Sequence, residues 1–247
     1  MDTDENRTAP LQRLDGVDFA RGVILLIMIF YHLLFDLHQF GVPFFNKAFH
    51  FSSWLLTKPP YFIGASFFLL VGLSAWLKQH HRGRKRTFQI LLSALGITLV
   101  SILFFPQSKI YFGVLHCIGI TQLLISIFLD YFYINIVLGT LIVCLGFYFE
   151  TVSVTTPWFI WLGFIPKGLI FADYYPLFPW FGVALFGICL GKLVIPKLIE
   201  SQKQHNFKRF ILFRMGVFFG RNSLWIYLLH QPILLTTLYL IGRLIPR

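Results

Sequence analysis

Long apolar stretches alternate with short polar ones along almost the whole chain. A helix needs about 20 predominantly apolar residues to cross a bilayer, and the chain carries seven stretches of roughly this length. They cover roughly residues 19–38, 59–77, 88–105, 110–129, 131–149, 178–195 and 222–242. We predict an all-α fold, a polytopic helical bundle of about seven transmembrane helices. Residues 1–247 then form a single integral membrane domain, with 1–17 as a cytoplasmic N-terminal segment.

One further apolar stretch does not fit the spanning pattern. Residues 157–171 are apolar but are interrupted by Pro and Gly, and the stretch is too short to cross a bilayer comfortably. Irregular backbone at membrane depth needs protein or water around it. We therefore interpret this stretch as an interfacial or re-entrant segment.

Composition and charge support a membrane protein and exclude a soluble one. Apolar residues make up 57% of the chain and charged residues 13%, against about a quarter charged in soluble domains. The net charge of +11 does not indicate a nucleic-acid partner, because Lys and Arg cluster at the ends of apolar stretches. Most of them fall on one side if the N-terminus is cytoplasmic and the C-terminus is outside. The predicted partner of these basic residues is the lipid bilayer.

The first apolar stretch holds the most informative polar residues. Arg21 stands at its start and His32 eleven positions later, about 17 Å along a helix. Asp36 follows His32 by four positions and so shares its helix face, where a carboxylate can fix the imidazole tautomer. A histidine oriented by an acid is the usual general base. A buried polar contact between helices is the alternative interpretation of His32.

Other polar residues are spread over the later stretches. His116 lies early in the fourth stretch, and His230 lies in the last one beside Gln231 and Pro232, which kinks a helix and often borders a cavity. We expect these residues to line a cavity, although helix packing alone explains many such kinks. Neither these histidines nor the cysteines show zinc-ligand spacing, so we predict no metal site.

The basic edge of the last stretch offers a place for phosphate. Asn222 or Ser223 would cap the final helix, with Arg221 adjacent, and Lys192 lies at the same predicted level. Free N–H groups at a helix N-terminus bind phosphate readily. Ordinary capping together with topology-setting charge explains the same residues equally well. If they do bind phosphate, a donor with a phosphorylated head and a long arm could anchor there and present a thioester to His32.

Four sequence blocks in order resemble a known family. They are RLDGVDFARGVILLIMIFYH, IYFGVLHCIGITQLL, ADYYPLFPWFGVALFGICLGKL and FFGRNSLWIYLLHQPILL. The first contains the Arg–ten residues–His signature of membrane acyltransferases. Together the blocks resemble small bacterial members of the heparan-α-glucosaminide N-acetyltransferase catalytic-domain family, over about residues 13–236.

The resemblance implies an activity and a cellular location. It implies acetyl transfer from cytoplasmic acetyl-coenzyme A to an amino or hydroxyl group of an extracytoplasmic sugar, in a bacterial inner membrane. The relatives' catalytic histidine lies after the first helix, which makes His50 a second candidate for the base beside His32. Tyr175 and Trp180, in the YYPLFPW segment, would shape the acceptor mouth.

Two other classes of function stay open at this point. A small-solute transporter would move its substrate across the bilayer without binding coenzyme A. A non-catalytic membrane subunit would bind a partner chain through its basic loops and tolerate loss of the membrane histidines. A homodimer is also compatible with the sequence.

Overall fold

A computed structural model describes residues 14–39, 53–77, 84–104, 109–166, 168, 173–204 and 210–244. Within these ranges the chain forms eight α-helices and one pair of two-residue strands. The helices are α1 (Asp15–Gln39), α2 (Ser53–Leu77), α3 (Arg84–Phe104), α4 (Val114–Leu124), α5 (Phe132–Thr151), α6 (Leu177–Gln204), α7 (Ile211–Arg221) and α8 (Ser223–Leu244). The predicted all-α membrane bundle is confirmed.

Six of these helices are long and apolar enough to cross a membrane, namely α1, α2, α3, α5, α6 and α8. The seventh predicted span, roughly 110–129, is shorter than expected. It consists of α4 and a 3₁₀ turn, Ile125–Ile127. Seven is therefore an approximate count, made of six long helices and one short one.

The short helix α4 runs antiparallel to α3. The hydroxyl of Thr98, late in α3, lies 3.1 Å from Nε2 of His116, early in α4. The hydroxyl of Thr87, early in α3, donates a hydrogen bond of 2.9 Å to the side-chain oxygen of Gln122, late in α4. The chain thus returns along α3 to the end of the bundle at which α3 begins.

The segment predicted to be interfacial or re-entrant is irregular where it is described. It contains a 3₁₀ turn, Pro157–Phe159, and the strand β2 (Ile165–Pro166), which pairs in parallel with β1 (Ser153–Val154). Its position relative to a bilayer stays a prediction.

Helix α6 packs closely against both α2 and α5. A side chain at Gly72 of α2 would collide with the carbonyl group of Ala184, and one at Gly187 of α6 with that of Leu69. Small residues of this kind let two helix backbones approach within a membrane. Next to them, the fully buried ring of Phe68 stacks on Trp180 with centroids 5.5 Å apart.

The short helix α7 packs along the first half of α1. Its buried face is formed by Gly216, Val217 and Gly220. A side chain at Gly22 of α1 would collide with the carbonyl oxygen of Gly216, and one at Gly220 with that of Asp18. This packing covers one face of α1, and a different face of the same helix borders the cavity described below.

Candidate active site

A large cavity lies among α1, α2, α3, α4 and α8. Its volume is about 1980 Å³, which exceeds the roughly 300–1,000 Å³ of common ligand pockets. Helices α5, α6 and α7 contribute none of its described lining residues. The space is large enough for two substrates to meet.

One face of α1 lines the cavity along nearly the whole helix. Arg21, Leu25, Met28, His32 and Phe35 recur every three or four residues, as one face of a helix requires. The cavity therefore extends over at least the eleven positions between Arg21 and His32, about 17 Å. We call its two ends the arginine end and the histidine end.

Two histidines meet at the histidine end. His32 of α1 and His230 of α8 both line the cavity, with ring centroids 5.1 Å apart. Nδ1 of His230 is hydrogen-bonded to the carbonyl oxygen of Tyr227, one turn earlier on α8. Because that carbonyl can only accept, Nδ1 carries the proton. The buried Nε2 of His230 has no hydrogen-bond partner among the described residues and is the acceptor nitrogen.

Asp36 is held from the neighbouring helix. The side-chain Nε2 of Gln231 donates to both oxygens of its carboxylate, at 3.1 and 3.0 Å. We predicted that Asp36 orients His32 along the same helix, whereas the bond found joins α1 to α8. Asp36 is 4% exposed, so this pair also satisfies a buried carboxylate. Its effect is to fix α8, and with it His230, against α1.

A carboxylate that sequence reasoning missed also borders the histidine end. Oδ2 of Asp173 accepts hydrogen bonds from the backbone N–H of Val114, at 3.1 Å, and from the hydroxyl of Tyr227, at 3.4 Å. Among the described residues, Oδ1 has no partner and no Lys or Arg pairs with the carboxylate. Burial raises the pKa of Asp173 to about 6, against the smaller opposing effect of these two bonds. This carboxyl can gain or lose a proton near neutral pH.

The signal for Asp173 was present in the sequence. It is the one acidic residue of the apolar outer segment ADYYPLFPW, which was assigned only a shaping role through Tyr175 and Trp180. An ionisable group in apolar surroundings marks a candidate functional site, as it does within a membrane span.

At the arginine end, Arg21 lines the cavity while it is held by two neighbours. Its guanidinium pairs with Asp18 at 2.7 Å and donates to the hydroxyl of Ser74 at 2.7 Å. Arg221, on α7, pairs with Asp15 at 2.6 Å and lies 3.6 Å from the second carboxylate oxygen of Asp18. These four charges tie α7 to α1, and only Arg21 among them lines the cavity.

Two of the other residues predicted to bind phosphate, Lys192 and Asn222, have hydrogen-bond partners within the protein. Nζ of Lys192 donates to the carbonyl oxygen of Asp130 at 2.9 Å. Asn222 is the C-cap that follows α7, and its side chain donates to the carbonyl oxygen of Phe218 at 2.9 Å. Ser223 begins α8 and lines the cavity. Of the five predicted phosphate ligands, the structure therefore brings Arg21 and Ser223 to the cavity.

Further polar side chains line the arginine end and were not singled out from the sequence. They are Ser74, Arg86, Thr87, Gln122 and Asp130. The first four lie near the ends of α2, α3 and α4, and Asp130 lies in the turn before α5. The packing of these elements brings them to one place. A second guanidinium, that of Arg86, thus borders the same space as Arg21.

The remaining predicted residues are divided between the cavity and the core. Tyr175 lines the cavity, and its hydroxyl donates to the carbonyl oxygen of Pro60 at 3.0 Å. Trp180 is 6% exposed within the core, and His116 lies between Thr98 and the backbone N–H of Gly113. Neither of these two lines the cavity, because each is occupied by packing or hydrogen bonds between helices. His50 lies outside the described residues.

Within the described residues, no group of three or more His, Cys, Asp or Glu side chains is placed to hold a metal ion. The imidazole, carboxyl and guanidinium groups that line the cavity are two imidazoles and the Asp173 carboxyl at one end, and the Asp130 carboxyl with two guanidinium groups at the other. The first set can move protons, and the guanidinium groups of the second can bind a polyanion.

Comparison with known families gives one match. The sequence profile described as "Heparan-alpha-glucosaminide N-acetyltransferase, catalytic" matches residues 13–232, which is most of the chain. The comparisons with curated proteins and with solved structures give no significant match. The matched range includes every cavity-lining residue named above, from Arg21 to Gln231.

Proposed function

The chain belongs to the heparan-α-glucosaminide N-acetyltransferase catalytic family, and from this premise we propose how its cavity performs acetyl transfer. Family and helices together indicate a membrane acetyltransferase. The finer proposal is that acetyl-coenzyme A enters at the arginine end and donates its acetyl group to an amino or hydroxyl group of a sugar at the histidine end.

The observation that supports this proposal is that one continuous cavity carries different chemical groups at its two ends. Guanidinium groups of Arg21 and Arg86 border one end, and the imidazoles of His32 and His230 border the other. Coenzyme A has a phosphorylated head and a long flexible arm that ends in the thioester. A cavity with cations about 17 Å from a base suits such a molecule, because arginine binds phosphate groups in a bidentate manner.

The chemistry needs one proton to move from the acceptor to the leaving sulfur. His32 takes a proton from the acceptor N–H or O–H as that atom bonds to the acetyl carbon. The carbon–sulfur bond then breaks, and the imidazolium returns the proton to the thiolate, which leaves as coenzyme A thiol. Atoms and charge balance without a metal or a redox partner. The proposed role of His230 is to hold the ring of His32, through the contact of their rings, with Asp36 and Gln231 fixing the two helices.

Asp173 is proposed to bind the acceptor. Its Oδ1 accepts a hydrogen bond from the nucleophilic group, and the rings of Tyr175 and Tyr227 flank the same part of the cavity. If the acceptor arrives as an ammonium ion, the carboxylate takes the first proton and leaves a neutral amine for attack. The pKa of about 6 permits this at neutral pH, because the carboxylate form then predominates.

The proposed orientation places the arginine end in the cytoplasm, where acetyl-coenzyme A is made. The excess of Lys and Arg at that end of the helices supports a cytoplasmic N-terminus and an external C-terminus. We propose the inner membrane of a bacterium as the location, and we leave a homodimer open as the oligomeric state.

The test compares three histidine variants of the purified protein. Acetyl transfer from radiolabelled acetyl-coenzyme A to glucosamine is measured for His32→Ala, His230→Ala and the matched control His116→Ala, which lies outside the cavity. Loss of a general base costs about 10²–10⁴-fold in rate, so His32→Ala should fall by this amount. His116→Ala should keep its rate to within a few fold.

A further variant separates the two candidates for the base. If His32→Ala retains the full rate while His50→Ala loses it, the base is His50 and the role given to His32 is wrong. Full activity of a variant that carries both His32→Ala and His50→Ala would contradict the acyltransferase mechanism. Solute flux through proteoliposomes without acetyl-coenzyme A binding would favour the transporter instead.

A further inference from the structure

The cavity is enclosed by an incomplete ring of helices. Close backbone packing joins α8 to α1, α1 to α2, α2 to α4, and α4 to α3. No comparably close backbone packing joins α3 to α8 in the described part of the chain. There the two helices meet through side chains, since Leu224, Tyr227 and Leu228 of α8 pack against a cluster that includes Ile90 and Ala94 of α3. The two helices are therefore the ends of a horseshoe around the cavity.

Both ends of the horseshoe line the cavity over much of their length. On α3 the lining residues Ile90, Ser93, Ile97 and Val100 follow one another at helical spacing. On α8 the lining residues extend from Ser223 to Pro232. We call the space between these two faces the α3–α8 gap.

The surface around the α3–α8 gap is apolar and faces outward. Phe88 and Val100 of α3 line the cavity and are also 66% and 51% exposed. Leu229 and Ile233 of α8 are more than half exposed, and α8 is the least buried of the six long helices. In a protein whose helices span a bilayer, such surfaces are in contact with lipid chains.

The middle of the gap is lined by residues that leave room. A side chain placed on Gly96 of α3, which lines the cavity, would meet no atom within 4 Å. On α8, the cavity-lining His230 lies seven positions after the helix begins at Ser223, about 10 Å along its axis. The α3–α8 gap therefore borders the same cavity as the proposed reaction centre.

We propose that the acceptor is an amphiphile, a sugar or amine carried on a long alkyl or isoprenoid chain, which enters through the α3–α8 gap. The polar head passes between the helices to the histidine end, while the chain stays among the lipids and in the apolar gap. An acceptor that is freely soluble gains nothing from an apolar lateral opening, whereas a lipid-linked one needs it to bring a polar head below the interface. This inference rests on the proposed acetyl transfer and names the class of its acceptor.

The experiment uses two acceptors with the same nucleophile. Methyl glucosaminide is water-soluble, and dodecyl glucosaminide carries a long chain. Both are acetylated from acetyl-coenzyme A by the full-length protein in liposomes. The test variant is Gly96→Phe, which fills the gap. The matched control is Gly242→Phe, since Gly242 also has open space around its Cβ position but does not line the cavity.

The expected result is selective. Gly96→Phe should lower kcat/KM for dodecyl glucosaminide about tenfold more than it lowers kcat/KM for methyl glucosaminide, which serves as the internal reference. Gly242→Phe should change neither value of kcat/KM. Comparing the two variants removes the effect of acceptor partitioning into the liposome, because both variants meet the same concentration of acceptor in the bilayer. Equal losses for both acceptors with Gly96→Phe, or no loss for the dodecyl compound, would overturn the proposal.

A binding measurement makes the result independent of turnover. Dodecyl glucosaminide with a photoreactive diazirine in its chain should label α3 and α8, and unlabelled dodecyl glucosaminide should compete with this labelling. Labelling that is spread over all helices and is not reduced by competitor would overturn the proposal even if acetyl-coenzyme A binds. If acetyl-coenzyme A neither binds nor donates to either acceptor, the proposed function fails, and the two failures are thereby distinguished.

Discussion

Replacing Asp173 by Asn removes one ionisable group from the histidine end with little change of shape. The amide oxygen of Asn can still accept hydrogen bonds from the N–H of Val114 and the hydroxyl of Tyr227, which hold Oδ2 of the carboxylate. What is lost is the negative charge and the ability to take a proton. The variant therefore isolates the acid–base role from the packing role.

The size of the expected pH effect follows from the pKa of Asp173. Because that pKa is about 6, the ionised fraction rises from about one tenth at pH 5 to about nine tenths at pH 7. The rate should rise about tenfold over this interval if the carboxylate form is needed. In Asp173→Asn this rise should disappear, and the rate at pH 7 should fall.

Stability should change in the opposite sense. Burial raises the pKa of Asp173 from 3.8 to about 6, so the folded state holds the proton more tightly than the unfolded state. The stability associated with this group is fully present below pH 3.8 and is lost as the pH rises through 6. Each pKa unit corresponds to about 1.4 kcal/mol, which gives a cost of at most about 3 kcal/mol above pH 6. Asp173→Asn should thus unfold at a higher temperature than the unmodified protein at pH 8.

The assay is acetyl transfer and thermal unfolding in detergent, where both ends of the cavity meet the same pH. Asp130→Asn is the matched control, since Asp130 lines the arginine end of the same cavity. The reasoning is refuted if Asp173→Asn keeps the unmodified pH profile, or if Asp130→Asn removes the rise between pH 5 and 7. An Asp173→Asn variant that loses both activity and stability would show that the carboxylate only supports the fold.

Two further predictions concern the helix contacts around the cavity. Arg21→Gln should weaken acetyl-coenzyme A binding about tenfold by calorimetric titration, because a charge-assisted phosphate contact is worth about 1.5–3 kcal/mol. Arg221→Gln should leave that affinity unchanged, because Arg221 does not line the cavity. It should lower the unfolding temperature, because it breaks the ion pair of Arg221 with Asp15. Gln231→Leu should destabilise the protein by about 1–3 kcal/mol in thermal unfolding, because it leaves the buried Asp36 carboxylate without its donor. Gln231→Glu should cost at least as much, because it removes the same donor and places a second carboxylate beside Asp36.

The helices were predictable from the sequence because lipid imposes a simple rule on length and polarity. Six of seven predicted spans are long helices, and the seventh is α4 with its 3₁₀ turn. The placement of Arg21 and His32 on the cavity face of α1 also follows from local sequence, since one helix fixes both their spacing and their depth.

The partners of these residues were not predictable, because they come from distant parts of the chain. Spacing alone suggested that Asp36 serves His32, yet Gln231, almost 200 positions away, holds it. In the same way we predicted that Arg221 binds phosphate, whereas in the structure its guanidinium donates to the carboxylate of Asp15. Such contacts depend on how helices pack, which hydrophobic pattern does not specify.

The most direct test of transfer through the cavity is a sided acetylation measurement. Glucosamine, or its dodecyl glycoside, is enclosed in proteoliposomes, and radiolabelled acetyl-coenzyme A, which does not cross the bilayer, is added outside. The account predicts labelled N-acetyl product inside the vesicles with the unmodified protein and little with His32→Ala. Product formed only from acceptor added on the same side as the donor would contradict it.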